Sequence, residues 1–295
     1  MFVKRFYSQA GAKTFHLGTC LKAKNFTDIY IVITRRIAMK ANYHTHTVRC
    51  HHASGTEKEY VEAAIASGLK VLGFSDHTPY PFPEDHTHHI RMRMHELEGY
   101  VNTVLSLRDE YRNDIDIHLG LEVEYCPDYF ELLCKEISDY PIEYFLHAQH
   151  FLGNSAPGDA YCGTPTEDPQ KLIAYCDLVI AAAQTGRFTY LAHPDLIRFT
   201  GDAALYDAQM RRICQCARSQ GLPLEINFLG IDENRHYPNE RFWKIAGDEG
   251  CDVIFGLDAH KPEHFRFEGN LSKSMEIVKK YDFHLLEDVE LKKPI

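Results

Sequence analysis

The chain has 295 residues and a formal net charge of −10. This length fits one barrel-sized domain rather than two domains, and the acidic balance argues against a basic face for nucleic acid. The nine cysteines form no Cys-x-x-Cys pair, and no apolar run reaches the roughly 18 residues that cross a membrane. We therefore expect a cytoplasmic protein with reduced thiols and with neither a nucleic-acid nor a membrane partner.

Residues 1–38 differ in charge from the rest of the chain. They contain seven Lys and Arg residues and a single acid, Asp28, so the remaining residues carry a net charge of −16. Such a leader could be a targeting peptide or a translated upstream region, since Met39 stands just before the first strand pattern. We favour the second interpretation. In either case we expect residues 1–38 to be disordered or outside the domain, and residues 39–295 to form the catalytic domain.

The first predicted strand, residues 40–43, leads into His44-Thr45-His46. Side chains two residues apart lie on the same face of a strand, so both imidazoles point to one place as the strand ends. His52 follows in the next loop and could supply a third imidazole. Three histidines arranged in this way favour a metal site. The alternative is one buried and one surface histidine without a ligand role.

Further strand patterns alternate with helical patterns along the chain. The predicted strands are residues 71–77, 115–125, 144–150, 189–195, 224–227 and 253–260. The predicted helices are residues 57–67, 96–111, 169–184, 203–220 and 239–249. Strands that alternate with helices of this length are typical of βα units and a parallel sheet.

Most of the predicted strands end in His, Asp, Glu or Asn. The active site of a (β/α) barrel lies at the C-terminal ends of its strands, where these side chains would meet. A doubly wound sheet with one crevice would not gather ligands from every strand so readily. We therefore predict an α/β fold: a single-domain, distorted TIM-like barrel of seven or eight strands.

These strand-end motifs, in this order, resemble those of the PHP family, named for polymerase and histidinol phosphatase domains. The resemblance runs from about Met39 to about Leu286. The motifs are His44-x-His46-x5-His52, Ser75-Asp76-His77, Gly120-Leu121-Glu122, His150, Ala192-His193-Pro194-Asp195 and Leu257-Asp258-Ala259-His260. The resemblance implies a distorted (β/α)7 barrel that binds two or three divalent metal ions: zinc, manganese or iron. The implied metal ligands are His44, His46, His52, His77, Glu122, His150, His193, Asp258 and His260.

Within the family, the chain is most similar to the monofunctional histidinol-phosphate phosphatases. This similarity is carried by residues 42–47, Cys50-x-His52, Pro79-Tyr80-Pro81, Arg91-Met92-Arg93-Met94 and Glu225-Ile226-Asn227. It implies hydrolysis of L-histidinol phosphate to L-histidinol and phosphate in histidine biosynthesis. Two alternatives stay open: a phosphoesterase of the same fold acting on another small phosphate ester or a nucleotide, and a non-catalytic metal-binding or polymerase-associated domain. The complete ligand set disfavours the last alternative.

The resemblance also suggests roles for individual side chains. Arg198 and Arg235 would hold the substrate phosphate, since a guanidinium donates two parallel bonds to phosphate. His193, Asp258 and His260 would serve catalysis as well as metal binding. Asp195 would orient a ligand histidine or pass a proton to the leaving alcohol.

Other polar residues receive supporting roles. We expect Asp76 to support a ligand or cap the next segment, and Glu124 to face away from Glu122. His147 precedes the assigned ligand His150 and would be its neighbour. The loop of residues 81–95 contains His86, His88 and His89, which could line a solvated lid or bind metal. The oligomeric state is left open.

Overall fold

Seven short parallel strands form the centre of the protein. The computed structural model describes residues 39–83, 90–153 and 159–295. The predictions for residues 1–38 and for His86, His88 and His89 lie outside these residues. The strands are β1 (Ala41–Asn42), β2 (Val71–Phe74), β3 (Asp116–Val123), β4 (Tyr144–His147), β5 (Phe188–Leu191), β6 (Leu224–Asn227) and β7 (Val253–Gly256).

Each strand pairs in parallel with the next strand along the chain, from β1 to β7. The residues of β2, β4, β5, β6 and β7 are all buried, whichever face they lie on. Burial on both faces is characteristic of parallel strands that helices cover, and it explains their nearly continuous apolar sequences.

The first and last strands meet and nearly close the barrel. Thr45 pairs in parallel with Ala259, and the His46 backbone N–H donates to the Ala259 carbonyl at 2.9 Å. The Asn42 side-chain oxygen accepts from the Leu257 N–H at 2.9 Å. Strands β5 and β6 pair at a single position, Leu191 with Leu224, so the barrel is irregular there. The predicted distorted barrel is confirmed, with seven strands.

Eight α-helices surround the described strands. They are α1 (Glu57–Ser67), α2 (Leu97–Glu110), α3 (Phe130–Glu136), α4 (Pro169–Gln184), α5 (Ala203–Gln220), α6 (Phe228–Asp232), α7 (Glu240–Asp248) and α8 (Glu268–Lys280). Short 3₁₀ helices cover Val48–Cys50, Met94–Glu96 and Pro262–Phe265. Helices α3, α6 and α8 were not predicted from the sequence. None of the described helices has the length and apolar character needed to cross a membrane.

The helix ends follow from local sequence. Thr56 and Glu59 form a reciprocal capping box that starts α1. Asp168 caps the first turn of α4, where Pro169 occupies the first position and needs no N–H partner.

A tyrosine fills the barrel interior below the strand ends. The Tyr144 hydroxyl donates to the Tyr43 carbonyl at 2.7 Å and lies 3.0 Å from the Phe74 carbonyl. The Tyr144 side chain occupies the space where a Cβ atom at Gly73 or Gly120 would sit. The barrel is therefore a packed core in this layer.

Candidate metal centre

Glu122, at the end of β3, lies at the centre of a buried cluster of histidines. Its Oε1 atom is 3.2 Å from His44 Nε2 and 3.1 Å from His193 Nε2. Its Oε2 atom is 2.7 Å from His77 Nδ1 and 3.5 Å from His46 Nε2. The two carboxylate oxygens therefore face two different groups of imidazoles.

The ends of β1 and β7 complete the cluster. Asp258 Oδ1 is 3.1 Å from His46 Nε2 and 3.5 Å from His44 Nε2. The His260 and His46 rings stack with their centroids 4.0 Å apart. His260 Nε2 lies 3.0 Å from His52 Nε2, so the loop after β1 also contributes to the cluster.

His150 lies near the same carboxylate oxygen as His44 and His193. Its Nε2 atom is 3.8 Å from Glu122 Oε1. Its ring centroid is 5.0 Å from that of His193. All nine residues predicted as ligands are thus gathered at the C-terminal end of the barrel. Their coordination of metal stays a prediction.

Two strand-end residues of the cluster have left-handed backbone conformations. The φ angles of His193 and Asp258 are +27° and +51°. Residues other than glycine rarely adopt positive φ, and such outliers concentrate at functional sites. In both cases the unusual backbone lies two residues after the end of a strand, in residues that contribute to the cluster.

A carboxylate on β6 orients the first histidine. Glu225 Oε1 is 2.8 Å from His44 Nδ1, and Glu225 Oε2 accepts from the His193 N–H at 3.0 Å. Asn227 donates to the carboxylates of both Glu225 and Asp258, at 2.9 and 3.1 Å. Although residues 225–227 contributed to the family resemblance, sequence reasoning assigned Glu225 no role. Its place within a buried strand, where a charge is costly, was the available signal.

Asp76 supports the second histidine, in line with one of its two predicted roles. Its Oδ1 atom is 3.5 Å from His46 Nδ1 and accepts from the His77 N–H at 2.8 Å. Its other oxygen accepts from the Thr47 N–H at 3.2 Å. Carboxylates behind metal-binding imidazoles commonly fix ring orientation in this way.

Glu124 does not face away from the site, so that expectation was wrong. Residues two apart share a strand face, and the Glu124 carboxylate lies 3.3 Å from His150 Nδ1. Arg91 donates to the same carboxylate at 3.0 Å, and its guanidinium lies over the Tyr80 and Phe82 rings. Arg91 and Glu124 are both almost fully buried.

His147 points in the opposite direction from the cluster. Its ring packs against Phe188, with centroids 5.0 Å apart, and its Nδ1 atom is 3.2 Å from the Val123 carbonyl. Burial lowers its pKa to about 4. His147 therefore lies in the layer between strands and helices, close to His150 only along the chain.

The electrostatics keep the central carboxylates ionised. Burial alone would raise the pKa of Glu122, but the charges of His77, His150 and His44 lower it to well below its usual range. Asp258 has a similarly depressed pKa because His44, His46 and His260 outweigh its burial. Burial, reinforced by the charge of His46, lowers the pKa of His260 well below its usual range. Ionised carboxylates beside a neutral imidazole are suitable metal ligands.

The donor set fits divalent metal ions. Buried atoms without a hydrogen-bond partner include His44 Nε2, His46 Nε2, Glu122 Oε2 and Asp258 Oδ1. Leaving such groups unsatisfied typically costs about 1–3 kcal/mol each, which metal ligation would offset. Groups of three ligand atoms within 4.8 Å of one another include His44–His46–Glu122, His44–His193–Asp258 and His46–His77–His260. Another such group is Cys50–His52–His260, which adds a buried thiol that sequence reasoning did not propose as a ligand.

A cavity of about 390 Å³ opens over the cluster. Its described lining comprises His52, His77, Ile90, His150, Phe151, Tyr161, His193, Leu229, Glu233, Arg235, Tyr237, Asp258 and His260. Imidazoles form its floor, and aromatic and aliphatic side chains form part of its wall. Arg235 lies at its edge, with 34% of its side chain exposed, and pairs with Glu233.

Two residues with predicted roles lie elsewhere. Arg198 is exposed and does not belong to the described lining of this cavity. Asp195 is buried, and its carboxylate accepts from the Asn239 N–H at 2.5 Å, at the start of α7. Burial raises the pKa of Asp195 to about 6. The structure therefore brings Arg235, but neither Arg198 nor Asp195, to the cavity wall.

Comparisons with known proteins agree with this architecture. The family model described as the PHP domain matches residues 42–228. The chain is 29% identical over 231 residues to a probable histidinol-phosphatase of Deinococcus radiodurans, covering 76% of this chain and 88% of that protein. It is 26% identical over 263 residues to a probable histidinol-phosphatase of Schizosaccharomyces pombe, covering 80% and 85%.

Among solved structures, a similar one is histidinol phosphate phosphatase from Lactococcus lactis, complexed with zinc, L-histidinol and phosphate. The TM-score is 0.67 at 20% identity, over 85% of this chain and 99% of that one. At this identity the likeness supports the barrel fold.

Proposed function

The chain belongs to the PHP domain family, and from this premise we propose that it is a metal-dependent phosphomonoesterase acting on L-histidinol phosphate. The products would be L-histidinol and phosphate, in histidine biosynthesis. The observation that carries the proposal is the cluster around Glu122, whose buried ligand atoms lack partners beneath a cavity lined by Arg235. The names of the Deinococcus and Schizosaccharomyces relatives, and the ligands of the Lactococcus structure, support this substrate.

We infer that the cluster holds two or three divalent metal ions: zinc, manganese or iron. Glu122 would be shared between His44, His193 and His150 on one side and His46 and His77 on the other. Asp258, His260 and His52 would complete the set. Imidazole suits several of these metals, so the donors alone do not select one. When bound, the ions would polarise the phosphoryl oxygens and activate water for in-line attack.

The protein's own side chains would position the substrate. Arg235 lines the cavity and would donate to two phosphoryl oxygens, a role for which its planar fork is suited. Arg198 would approach the phosphate only from the rim. Asp195 connects the end of β5 to the start of α7 through Asn239, so we assign it a positioning role. Residues 1–38 would lie outside the catalytic domain.

The test is phosphate release from L-histidinol phosphate and from a panel of other monoesters and nucleotides, with metal-loaded full-length protein. We expect kcat/KM for L-histidinol phosphate to exceed the panel by at least about a hundredfold, which is within the discrimination of about 10⁴ that hydrogen-bonded recognition can reach. Glu122→Gln should lose both metal and turnover.

If kcat/KM is similar for all substrates, or highest for another one, the protein would be a phosphatase for another small phosphate ester or a nucleotide. No turnover with any ester, despite bound metal, would favour a non-catalytic metal-binding domain.

A further inference from the structure

All three nitrogen atoms of the Arg235 guanidinium contact residues at the edge of the cavity. Its Nε and Nη2 atoms lie 2.8 and 2.6 Å from one oxygen of Glu233. Its Nη1 atom donates to the Tyr237 hydroxyl at 2.6 Å. Arg235, Glu233 and Tyr237 all line the cavity above the histidine cluster. A phosphate that binds Arg235 must therefore compete with, or lie beside, the Glu233 carboxylate.

Glu233 differs from the other carboxylate in the described lining. Asp258 is buried and surrounded by His44, His46 and His260. Glu233 is 48% exposed, and its one ion pair among the described residues is with Arg235. If phosphate takes Arg235, Glu233 loses that cation and repels the phosphate. A substrate that carries its own cation would remove this repulsion.

We propose that Glu233 binds an ammonium group on the leaving alcohol and so selects phosphate monoesters that carry an amine. The exchange conserves charge: the Arg235–Glu233 pair opens, phosphate pairs with Arg235, and ammonium pairs with Glu233. An ester without a cation satisfies Arg235 but leaves Glu233 unpaired, so like-charge repulsion disfavours it. The inference rests on the proposed phosphatase function and adds the feature by which the substrate is chosen.

The neighbouring carboxylate provides a matched control. Asp232 lies one residue earlier but faces a different pocket, where it contacts Asn270 at 3.4 Å and lies 4.0 Å from His264. It is not part of the described lining over the histidine cluster. Glu233→Gln and Asp232→Asn therefore remove the same charge at nearly the same place, on opposite sides of the cavity wall.

The experiment measures kcat/KM for two amine-bearing esters, L-histidinol phosphate and phosphoethanolamine. Two esters without an amine, glycerol phosphate and N-acetyl-L-histidinol phosphate, serve for comparison. In Glu233→Gln we expect about a tenfold or larger loss for the amine-bearing esters, the effect of removing a charge-assisted bond. The other two esters should change less than about twofold or improve, because the repulsion is removed. Asp232→Asn should leave the ratio unchanged, and Glu233→Asp should retain part of the preference.

The outcomes separate this inference from the proposed function. An equal loss for all four esters in Glu233→Gln would mean that Glu233 only aligns Arg235, which overturns the inference. Equal rates for the esters with and without an amine in the unmodified protein would also overturn it. If another amine-bearing ester is the best substrate and Glu233→Gln removes that preference, the inference holds while the histidinol phosphate assignment fails. Turnover of no ester would overturn both.

Discussion

His44 Nδ1 lies 2.8 Å from Glu225 Oε1, so a carboxylate on β6 determines the orientation of an imidazole at the end of β1. With Nδ1 directed at the carboxylate, Nε2 points to Glu122 and Asp258. A hydrogen bond to one ring nitrogen leaves the other available to a metal and increases its basicity. Glu225 also accepts from the backbone of His193, so one side chain on β6 orders residues that follow two other strands, β1 and β5.

We predict that Glu225→Gln weakens metal binding without unfolding the barrel. An amide can still occupy the space, but it orients the His44 ring less strongly. The expected loss is about tenfold to a hundredfold in zinc affinity, the usual effect of removing such a partner. Competition with a chromophoric chelator measures it. Glu143→Gln is the control, since Glu143 also pairs with a histidine, His118 at 3.1 Å, away from the cluster. Equal zinc affinities for the two variants would contradict the role given to Glu225.

Gly256 leaves the space that Glu225 occupies. A Cβ atom at Gly256 would lie 1.7 Å from Glu225 Oε1, so Gly256→Ala must displace the carboxylate. We expect weakened zinc binding, as in Glu225→Gln, together with a loss of about 1–3 kcal/mol in the free energy of unfolding from overpacking. Gly269→Ala is the control, because its new methyl group would meet no atom within 4 Å. Unfolding in urea, with the chelator assay, tests both effects; unchanged zinc binding in Gly256→Ala would count against this packing.

The buried Arg91–Glu124 pair should be important for stability as well as for the site. Arg91→Met removes the buried guanidinium that pairs with the Glu124 carboxylate, and breaking a buried pair in this way costs about 3–5 kcal/mol. Arg241→Met, which breaks an exposed pair with Asp207, should cost at most about 1 kcal/mol. The double variant Arg91→Met with Glu124→Gln should recover part of the loss, since the buried negative charge is gone as well. Urea denaturation at neutral pH compares the three proteins; no difference between the single variants would refute the prediction.

His118 should make stability depend on pH at a place remote from the metal cluster. Burial would lower its pKa, but the hydrogen bond and charge of Glu143 and the charge of Asp116 raise it above the ordinary 6.5. Because the folded-state pKa is raised, the stability that protonated His118 contributes is fully present below pH 6.5 and is lost as pH rises through the folded-state pKa. Glu143 has a lowered pKa: burial opposes this shift, but the His118 hydrogen bond and other donors outweigh it. Its contribution is therefore lost only as pH falls through its own folded-state value.

Replacing His118 with Gln should then destabilise the protein most below pH 6.5, and progressively less as the pH rises and the folded-state histidine loses its proton. Urea denaturation of both proteins across this range measures the difference. A difference in stability that does not change with pH would show that His118 contributes through packing alone.

Local sequence patterns were sufficient to predict the barrel and the convergence of its strand ends. Apolar runs of four to eight residues, separated by helical patterns, are typical of a parallel sheet. In a parallel barrel every strand end lies on the same rim. His44, His77, His193 and Asp258 could thus be placed together, because their grouping depends on topology and not on individual side-chain contacts. Their role as metal ligands remains to be tested.

The tertiary structure decided which polar residues support the cluster. Glu225 reaches His44 across 181 positions of sequence, and Arg91 reaches Glu124 from a different segment. Pairings of this kind depend on barrel stagger and on the space left by residues such as Gly256, neither of which is a local property of the chain. The same limit applies to Arg198 and Arg235. Both follow strands that end at the cluster, but the course of each loop, set by its packing, brings only Arg235 to the cavity wall.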